Sequence, residues 1–211
     1  MWFNLIVGIW ITAGILIAFV MPPAKGLALP PIMYFHVPMA FATAVAFLVS
    51  AWYGARWLST RRISNDALSL AFAEVGAVCG LIATATGSLW ARVNWGAYWS
   101  WDPQQTGIVA TLLTYGALFA LRAATEDEDK QRNLWAVYAI FGGLAAIFWL
   151  FIFRRLMPSL HPTDTVIKSS PLFRLALWFN IIGYVMLLVR LAQLRARLEI
   201  VSQRLKDWQW A

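Results

Sequence analysis

The chain has 211 residues, of which 61% are hydrophobic and only 13% are charged. Because charged residues make up about a quarter of an ordinary soluble domain, this composition excludes such a domain and favours one polytopic helical membrane domain. The net charge of +7 then reflects membrane topology and contact with membrane lipid, not nucleic-acid binding, and the single cysteine, Cys79, excludes an intrachain disulfide.

Six apolar segments are long enough to cross a bilayer, which takes about 20 mostly apolar residues. The first lacks a basic region in front of it, so we expect a retained helix and not a cleaved signal peptide. Proline and glycine between the segments support the breaks. The predicted spans are 2–20, 36–58, 66–90, 104–122, 133–153 and 171–191.

The distribution of lysine and arginine predicts the orientation of these spans. One side of the membrane would carry 11 of the 17 basic residues, and the other side six. Because cytoplasmic loops are enriched in basic residues, we expect both termini in the cytoplasm. The outer loops, 21–35, 91–103 and 154–170, are unusually basic for an outer side, and a negatively charged ligand would explain this.

Two acidic features of the predicted inner half allow two interpretations each. Glu74 would lie roughly 12 Å inside the third helix, where a carboxylate is costly and should face the bundle. It could make a hydrogen bond between helices, or form a polar step on a ligand path or a partner contact. The acidic run 126–129 is either a solvated loop or a docking site for a partner.

An aromatic run, WGAYWSWDP at 95–103, stands between the third and fourth spans. Tryptophan favours the membrane interface because its ring is apolar while its N–H needs a polar partner. The run is therefore either an interfacial anchor or a platform for a flat ligand. Asp102 precedes the proline that would begin the fourth helix, so it is either an N-cap or a ligand contact.

The only two histidines, His36 and His161, both fall on the predicted outer face. Two imidazoles on opposite faces of a porphyrin make a six-coordinate haem site, although a single histidine at a helix end is commonly just interfacial polarity. A porphyrin also needs flat apolar walls and cations for its propionates. The aromatic run offers the walls, and Arg92, Arg154 and Arg155 are candidate cations.

Beyond the sixth span, apolar residues recur at alternating spacings of three and four, with arginines around them. This pattern predicts that the sixth helix continues as an amphipathic arm. We therefore expect a transmembrane domain over 1–193 and a cytoplasmic arm over 194–211. The arm could contact another subunit or lie on membrane lipid, anchored by Trp208 and Trp210, and lipid contact is the simpler default.

Three stretches of the sequence resemble motifs of a known family. Residues 31–38, PIMYFHVP, resemble the first histidine motif of the haem exporter protein C (CcmC) family of cytochrome c maturation. Residues 86–90, TGSLW, and 95–102, WGAYWSWD, look like the tryptophan-rich (WWD) haem-handling segment that this family shares with a wider superfamily. Six helices with two outer histidines extend the resemblance over most of the chain.

The resemblance implies a haem-delivery protein of the bacterial inner membrane, and not an enzyme. Haem b would be held transiently at the periplasmic face, with His36 and His161 as axial ligands of the iron, and passed to a periplasmic haem chaperone similar to CcmE. The other implied partners are an ATPase and membrane subunit similar to CcmA and CcmB, which would supply any ATP hydrolysis, and a small helper similar to CcmD. The implied haem-contact residues are Trp95, Gly96, Trp99, Trp101 and Asp102.

Three other functions match part of these sequence features. Residues 101–106, WDPQQT, resemble the cytochrome c synthase branch of the superfamily (CcsA and CcmF), which would make the chain a component of a haem lyase. A b-type electron-transfer subunit fits less well, because two histidines on one face cannot carry electrons across the bilayer. A transporter with an aromatic outer gate would bind no haem. The size of the chain and its two histidines favour the CcmC-type interpretation.

Overall fold

The computed structural model describes residues 2–21, 30–161 and 165–209, and every long element in these residues is a helix. Six helical segments are long and apolar enough to cross a membrane, which confirms the predicted all-α fold with six spans. The chain is a multi-pass membrane protein. Residues 22–29 and 162–164 of the predicted outer loops, and Trp210 of the predicted arm, lie outside the described residues.

The described residues form eight α-helices and one π-helical turn. A π-helical turn, Phe148–Ile152, connects α5 to α6, so these three elements form one span. The helices are α1 (Trp2–Val20), α2 (Pro30–Thr60), α3 (Ile63–Trp95), α4 (Pro103–Ala123), α5 (Glu128–Ile147), α6 (Phe153–Leu156), α7 (Thr165–Lys168) and α8 (Pro171–Gln209).

Several helices are longer than the sequence predicts. Helix α2 begins at Pro30, because proline is well accepted in a first turn. Helix α3 continues to Trp95 and ends at Gly96, whose φ of 84° is the left-handed conformation that glycine adopts at low cost. The connection between α3 and α4 is therefore shorter than the predicted loop 91–103. Helix α8 continues to Gln209, which confirms the predicted helical extension.

Helices α2 and α3 form the centre of the bundle. Helices α5 and α8 pack on α2, α1 packs on α8, and α4 packs on α5. Small residues allow the central helices to approach closely, as is common between membrane helices. Ala42 and Ala46 of α2 and Ala67 and Ala71 of α3 are buried in one cluster. This close packing makes α2 and α3 a firm support for the side chains at their ends.

Ion pairs tie the helices together towards the end of the bundle where α2 ends and α3 begins. Asp66 of α3 accepts two hydrogen bonds from Arg122 of α4, at 2.8 and 2.7 Å. Glu74 accepts a 3.0 Å hydrogen bond from Arg195 of α8, so it takes part in an interhelical contact. In the acidic run, Asp127 caps α5 through the Lys130 amide. A role of this run in partner docking stays a prediction, as do the cytoplasmic location of the termini and the division at residue 193.

Candidate functional site

A cavity of about 610 Å³ lies at the opposite end of the bundle, where α2 begins, α3 ends and α4 begins. Its volume falls in the range of about 300–1,000 Å³ that is usual for ligand sites. His36 and His161 both line this cavity, so the fold brings the only two histidines of the chain to one site. Apolar side chains of α2, α3, α7, α8 and the π-helical turn form most of the wall.

His36 lies in the second turn of α2 and is held against α3. Its Nδ1 is 3.0 Å from the carbonyl oxygen of Ala83 and 3.3 Å from Oγ1 of Thr86. Because a carbonyl oxygen only accepts, Nδ1 carries the proton and Nε2 keeps its lone pair. A Cβ atom at Gly87 would lie 2.7 Å from Cε1 of His36, so the glycine permits this close contact. The result is a fixed imidazole with Nε2 available to a ligand.

Asp102 holds His161 in place from the other side of the cavity. Its Oδ1 accepts the amide hydrogen of Gln104 at 2.9 Å, which caps α4, and lies 2.9 Å from Nδ1 of His161. Its Oδ2 accepts hydrogen bonds from the Leu160 amide at 2.6 Å and from the Ser159 hydroxyl at 2.9 Å. The carboxylate therefore accepts a hydrogen bond from Nδ1–H of His161, so Nε2 is the unprotonated nitrogen and keeps its lone pair. This is the carboxylate–histidine arrangement that supports metal-bound imidazoles.

The protonation states of this pair suit a ligand that needs neutral imidazole. Burial lowers the pKa of His161 below its usual value, although the hydrogen bond and charge of Asp102 act in the opposite direction. Burial tends to raise the pKa of Asp102, but its hydrogen bonds outweigh this and hold the pKa below the usual value. At neutral pH the site therefore combines a neutral His161 with an ionised Asp102.

The tryptophans of the site have different surroundings. The ring of Trp95 meets His161 edge-on, with centroids 5.0 Å apart, and packs edge-on against Trp90. Trp90 and Trp99 line the cavity. Trp101 adopts a left-handed φ of 57°, packs edge-on against Trp99 and is 67% exposed, outside the cavity wall. The aromatic run therefore contributes both to the wall and to an exposed surface beside it.

The three candidate cations lie in two different places, two in the cavity wall and one outside it. Arg154 and Arg155 line the cavity from α6. Arg92 donates a hydrogen bond to the carbonyl oxygen of Gly96 and lies over the ring of Tyr98, 5.8 Å from its centroid. Neither Arg92 nor Gly96 belongs to the cavity wall. Arg92 thus stabilises the connection between α3 and α4.

Two residues that the sequence does not single out, Gln105 and Ser159, support this site, and Gln105 also lines the cavity. Gln105 accepts the Ser100 amide hydrogen at 2.9 Å and donates to the Tyr98 carbonyl at 3.3 Å, so it fixes the aromatic run. Ser159 supports Asp102 and accepts the amide hydrogen of His161 at 3.1 Å. The nearness of Gln105 to the Asp-Pro pair could have drawn attention to it. Nothing local in the sequence links Ser159 to Asp102.

The π-helical turn adds an unpredicted feature beside the cavity. Leu150 and Phe151 of this turn line the wall, and the Leu150 carbonyl accepts a 3.4 Å hydrogen bond from Gln104 of α4. Gly107 of α4 packs directly under the carbonyl of Trp149. Turns of this kind inside α-helices frequently occur at functional sites. Here α6, which follows the turn directly, carries the two arginines that line the cavity.

Three relatives found by comparison with known proteins carry the same name. A Heme exporter protein C of Rhodobacter capsulatus is 31% identical over 187 residues, which cover 83% of this chain and 74% of the relative. The protein of the same name from Paracoccus denitrificans is 29% identical over 179 residues, covering 82% and 74%. That of Escherichia coli K12 is 29% identical over 185 residues, covering 84% and 73%.

The sequence profile of the CcmC family, described as Heme exporter protein C, matches residues 1–211. The match includes the six spans, both histidines and the aromatic run. The chain therefore belongs to the haem exporter protein C family.

Proposed function

We propose that this protein handles haem in cytochrome c maturation by holding it at the outer face of the membrane and passing it to a partner. The observation that carries the proposal is the pair of cavity-lining histidines, each with Nδ1 hydrogen-bonded to protein and with no hydrogen bond from Nε2 to a described residue. Haem iron takes two axial imidazoles, and a fixed ring with a free nitrogen is what such a ligand requires. His36 and His161 are the proposed axial ligands.

The other side chains around the cavity suit the flat ring and the two propionates of a porphyrin. Trp90 and Trp99 offer flat apolar surfaces, and Trp95 keeps the His161 ring in place from its edge. Arg154 and Arg155 provide positive charge for the two propionates, whose carboxylates pair well with guanidinium groups. Asp102 acts through His161 and not by contact with haem. Arg92 and Gly96 shape the aromatic run, and we assign them no haem contact.

The surroundings of the cavity favour transient binding and transfer. Tyr98 and Trp101 are more than half exposed next to the wall, on a connection tied to α4 by Gln105. An exposed aromatic surface beside a bound cofactor suits a partner that takes the cofactor up. We infer that the partner is a periplasmic haem chaperone similar to CcmE. The protein would lie in the inner membrane, with subunits similar to CcmA, CcmB and CcmD as further partners.

Transfer from the loaded protein tests this proposal. Detergent-purified protein, loaded with haem, is mixed with a purified CcmE-type chaperone, and haem on each protein is measured after separation. We expect haem to move to the chaperone from the wild type, and to move more slowly from Trp101→Ala, which retains the cavity. Retention of all haem by the wild type would contradict a delivery role.

A second candidate function is a haem lyase of the cytochrome c synthase branch, which the WDPQQT stretch at 101–106 favours. The same loaded protein, incubated with reduced apocytochrome c alone, separates the two functions. A delivery protein should leave the apocytochrome without covalent haem. Formation of thioether-linked cytochrome without any other protein would establish the lyase instead.

A further inference from the structure

The last part of α8 carries an uncovered apolar seam. Its members recur at alternating spacings of three and four, and each is exposed, with Trp208 reaching 85%. These are the a and d positions of a heptad repeat, a narrower stripe than a helix uses against a globular core. We propose that this seam is the docking surface for one acidic amphipathic helix of another protein, which would pair with α8 as a coiled coil. The seam consists of Leu191, Leu194, Leu198, Val201, Leu205 and Trp208.

The seam lies beyond the apolar part of α8. No charged residue occurs between Arg174 and Arg190, and the 171–190 stretch is about 30 Å long, the thickness of a bilayer core. Gly183 lies against Trp10 of the antiparallel helix α1, so α1 begins about level with the first seam residue. From there α8 continues for about 27 Å to its end.

The geometry of α8 argues against a seam that lies flat on lipid. The helix runs unbroken to Gln209 and contains neither glycine nor proline after Gly183, so nothing in it favours a kink. Its other face is held against the bundle. Ala192 and Ala196 are buried against the central helices, and Arg195 is paired with Glu74 of α3. The seam therefore continues the direction of the 171–190 stretch, on an exposed face of α8 that differs from the face packed against the bundle.

The charges beside the seam define the chemistry of the partner. Arg190, Arg197 and Arg204 recur every seven residues and occupy the g positions along one edge of the seam. Arg197 and Arg204 are exposed, and neither pairs with an acid among the residues that the structure describes. The opposite edge carries Arg195, which is already occupied by Glu74 and Glu199. A partner helix should therefore present carboxylates to the arginine edge.

The same arginines disfavour a second copy of this chain. In an antiparallel pair the two arginine edges would face each other, and in a parallel pair they would face Arg195, Ser202 and Gln209. Neither arrangement offers a carboxylate to an arginine, and facing like charges oppose pairing. An acidic helix from a different protein is the occupant that matches both the seam and its edge.

Designed peptides test the seam without knowledge of the natural partner. One three-heptad peptide has leucine at a and d and glutamate at e and g, and a companion has lysine at e and g. Each repels itself and is available for pairing. With the full chain in detergent, we expect the glutamate peptide to bind at least about tenfold more tightly than the lysine peptide. The double variant Arg197→Glu/Arg204→Glu should reverse this preference.

Matched variants test whether the peptide binds the seam or binds apolar surface non-specifically. Leu198→Ser/Leu205→Ser should lose the glutamate peptide, whereas Leu175→Ser, an exposed leucine of α8 outside the seam, should bind it normally. Equal binding of both peptides, or a preference that survives charge reversal, would overturn the proposal. In vesicles of phosphatidylcholine and phosphatidylglycerol, a dye on Leu205→Cys in a Cys79→Ala background should escape quenching by nitroxide lipid. Strong quenching would place the seam on lipid and also overturn it.

Discussion

Asp102 of the aromatic run connects two outer segments that are far apart in the sequence. Its place before Pro103 is compatible with helix capping and with ligand contact. In the structure the carboxylate caps α4 and also fixes Ser159, Leu160 and His161, which lie 57 to 59 residues further along the chain. The cap could be predicted because it depends on the neighbouring Asp-Pro pair. The contact with His161 could not, because only the packed bundle brings the two outer segments together.

Replacement of Asp102 by asparagine should weaken haem binding by about 10- to 100-fold, the usual cost of losing a carboxylate behind a ligating histidine. Asparagine remains a good N-cap, so α4 should stay intact. Haem titration of the purified variant measures the affinity, and helical content by circular dichroism serves as the control. Unchanged affinity would show that Asp102 only caps the helix.

Haem binding should be complete at neutral pH and should decrease as the pH falls through the pKa of His161. That pKa is held below its usual value, mainly by burial, so the neutral ring persists into mildly acidic solution. Protonation of Nε2 then removes the lone pair that would bind iron. Because Asp102 raises this pKa, the loss in Asp102→Asn should occur at lower pH. Haem retention measured from neutral to acidic pH tests this, and binding that increases on acidification would contradict it.

At the scale of elements, the long apolar segments were predictable and the irregular turns were not. The six spans follow from length and hydropathy, and the extension of α8 follows from its heptad spacing. The π-helical turn leaves no recognisable trace in the stretch FWLFI, and its close contact with Gly107 joins residues more than 40 positions apart in the chain. The continuation of α3 to Trp95 was also missed, since the aromatic run resembles a loop by composition.

The contact between α2 and α3 gives a prediction at this scale. Gly87→Ala should displace the His36 ring, because the new Cβ would lie 2.7 Å from Cε1. We expect weaker haem binding and a shifted absorption spectrum, with little loss of protein. Gly116→Ala in α4 is the matched control, since nothing lies within 4 Å of a Cβ at that position. Identical spectra for both variants would show that the α2–α3 contact does not position His36.

In the whole molecule, one end of the bundle carries the proposed binding site and the other carries a stabilising group of ion pairs. One end holds the cavity with its two histidines, and the other holds Asp66 between Arg122 and Arg132. Asp66 is fully buried, so its charge depends on these partners. The sequence could not reveal this cluster, because its members come from α3, α4 and α5.

Arg122→Ala should lower the free energy of unfolding by about 3–5 kcal/mol, because it leaves the Asp66 carboxylate buried without its main partner. Thermal unfolding in detergent measures the loss. Asp66→Asn/Arg122→Gln should recover much of it by removing both charges, and Glu126→Gln on the surface should have little effect. If Arg122→Ala unfolds like the wild type, the cluster does not hold this end of the bundle together.

The absorption spectrum of the detergent-purified protein, reconstituted with haem, decides whether His36 and His161 bind the haem iron. Wild type is compared with His36→Ala and His161→Ala. Because both imidazoles line one cavity and are hydrogen-bonded to protein through Nδ1, which leaves the Nε2 lone pair for iron, we predict a bis-histidine haem spectrum in the wild type and its loss in each variant. A wild type that binds no haem, or variants that keep the wild-type spectrum, would contradict the account.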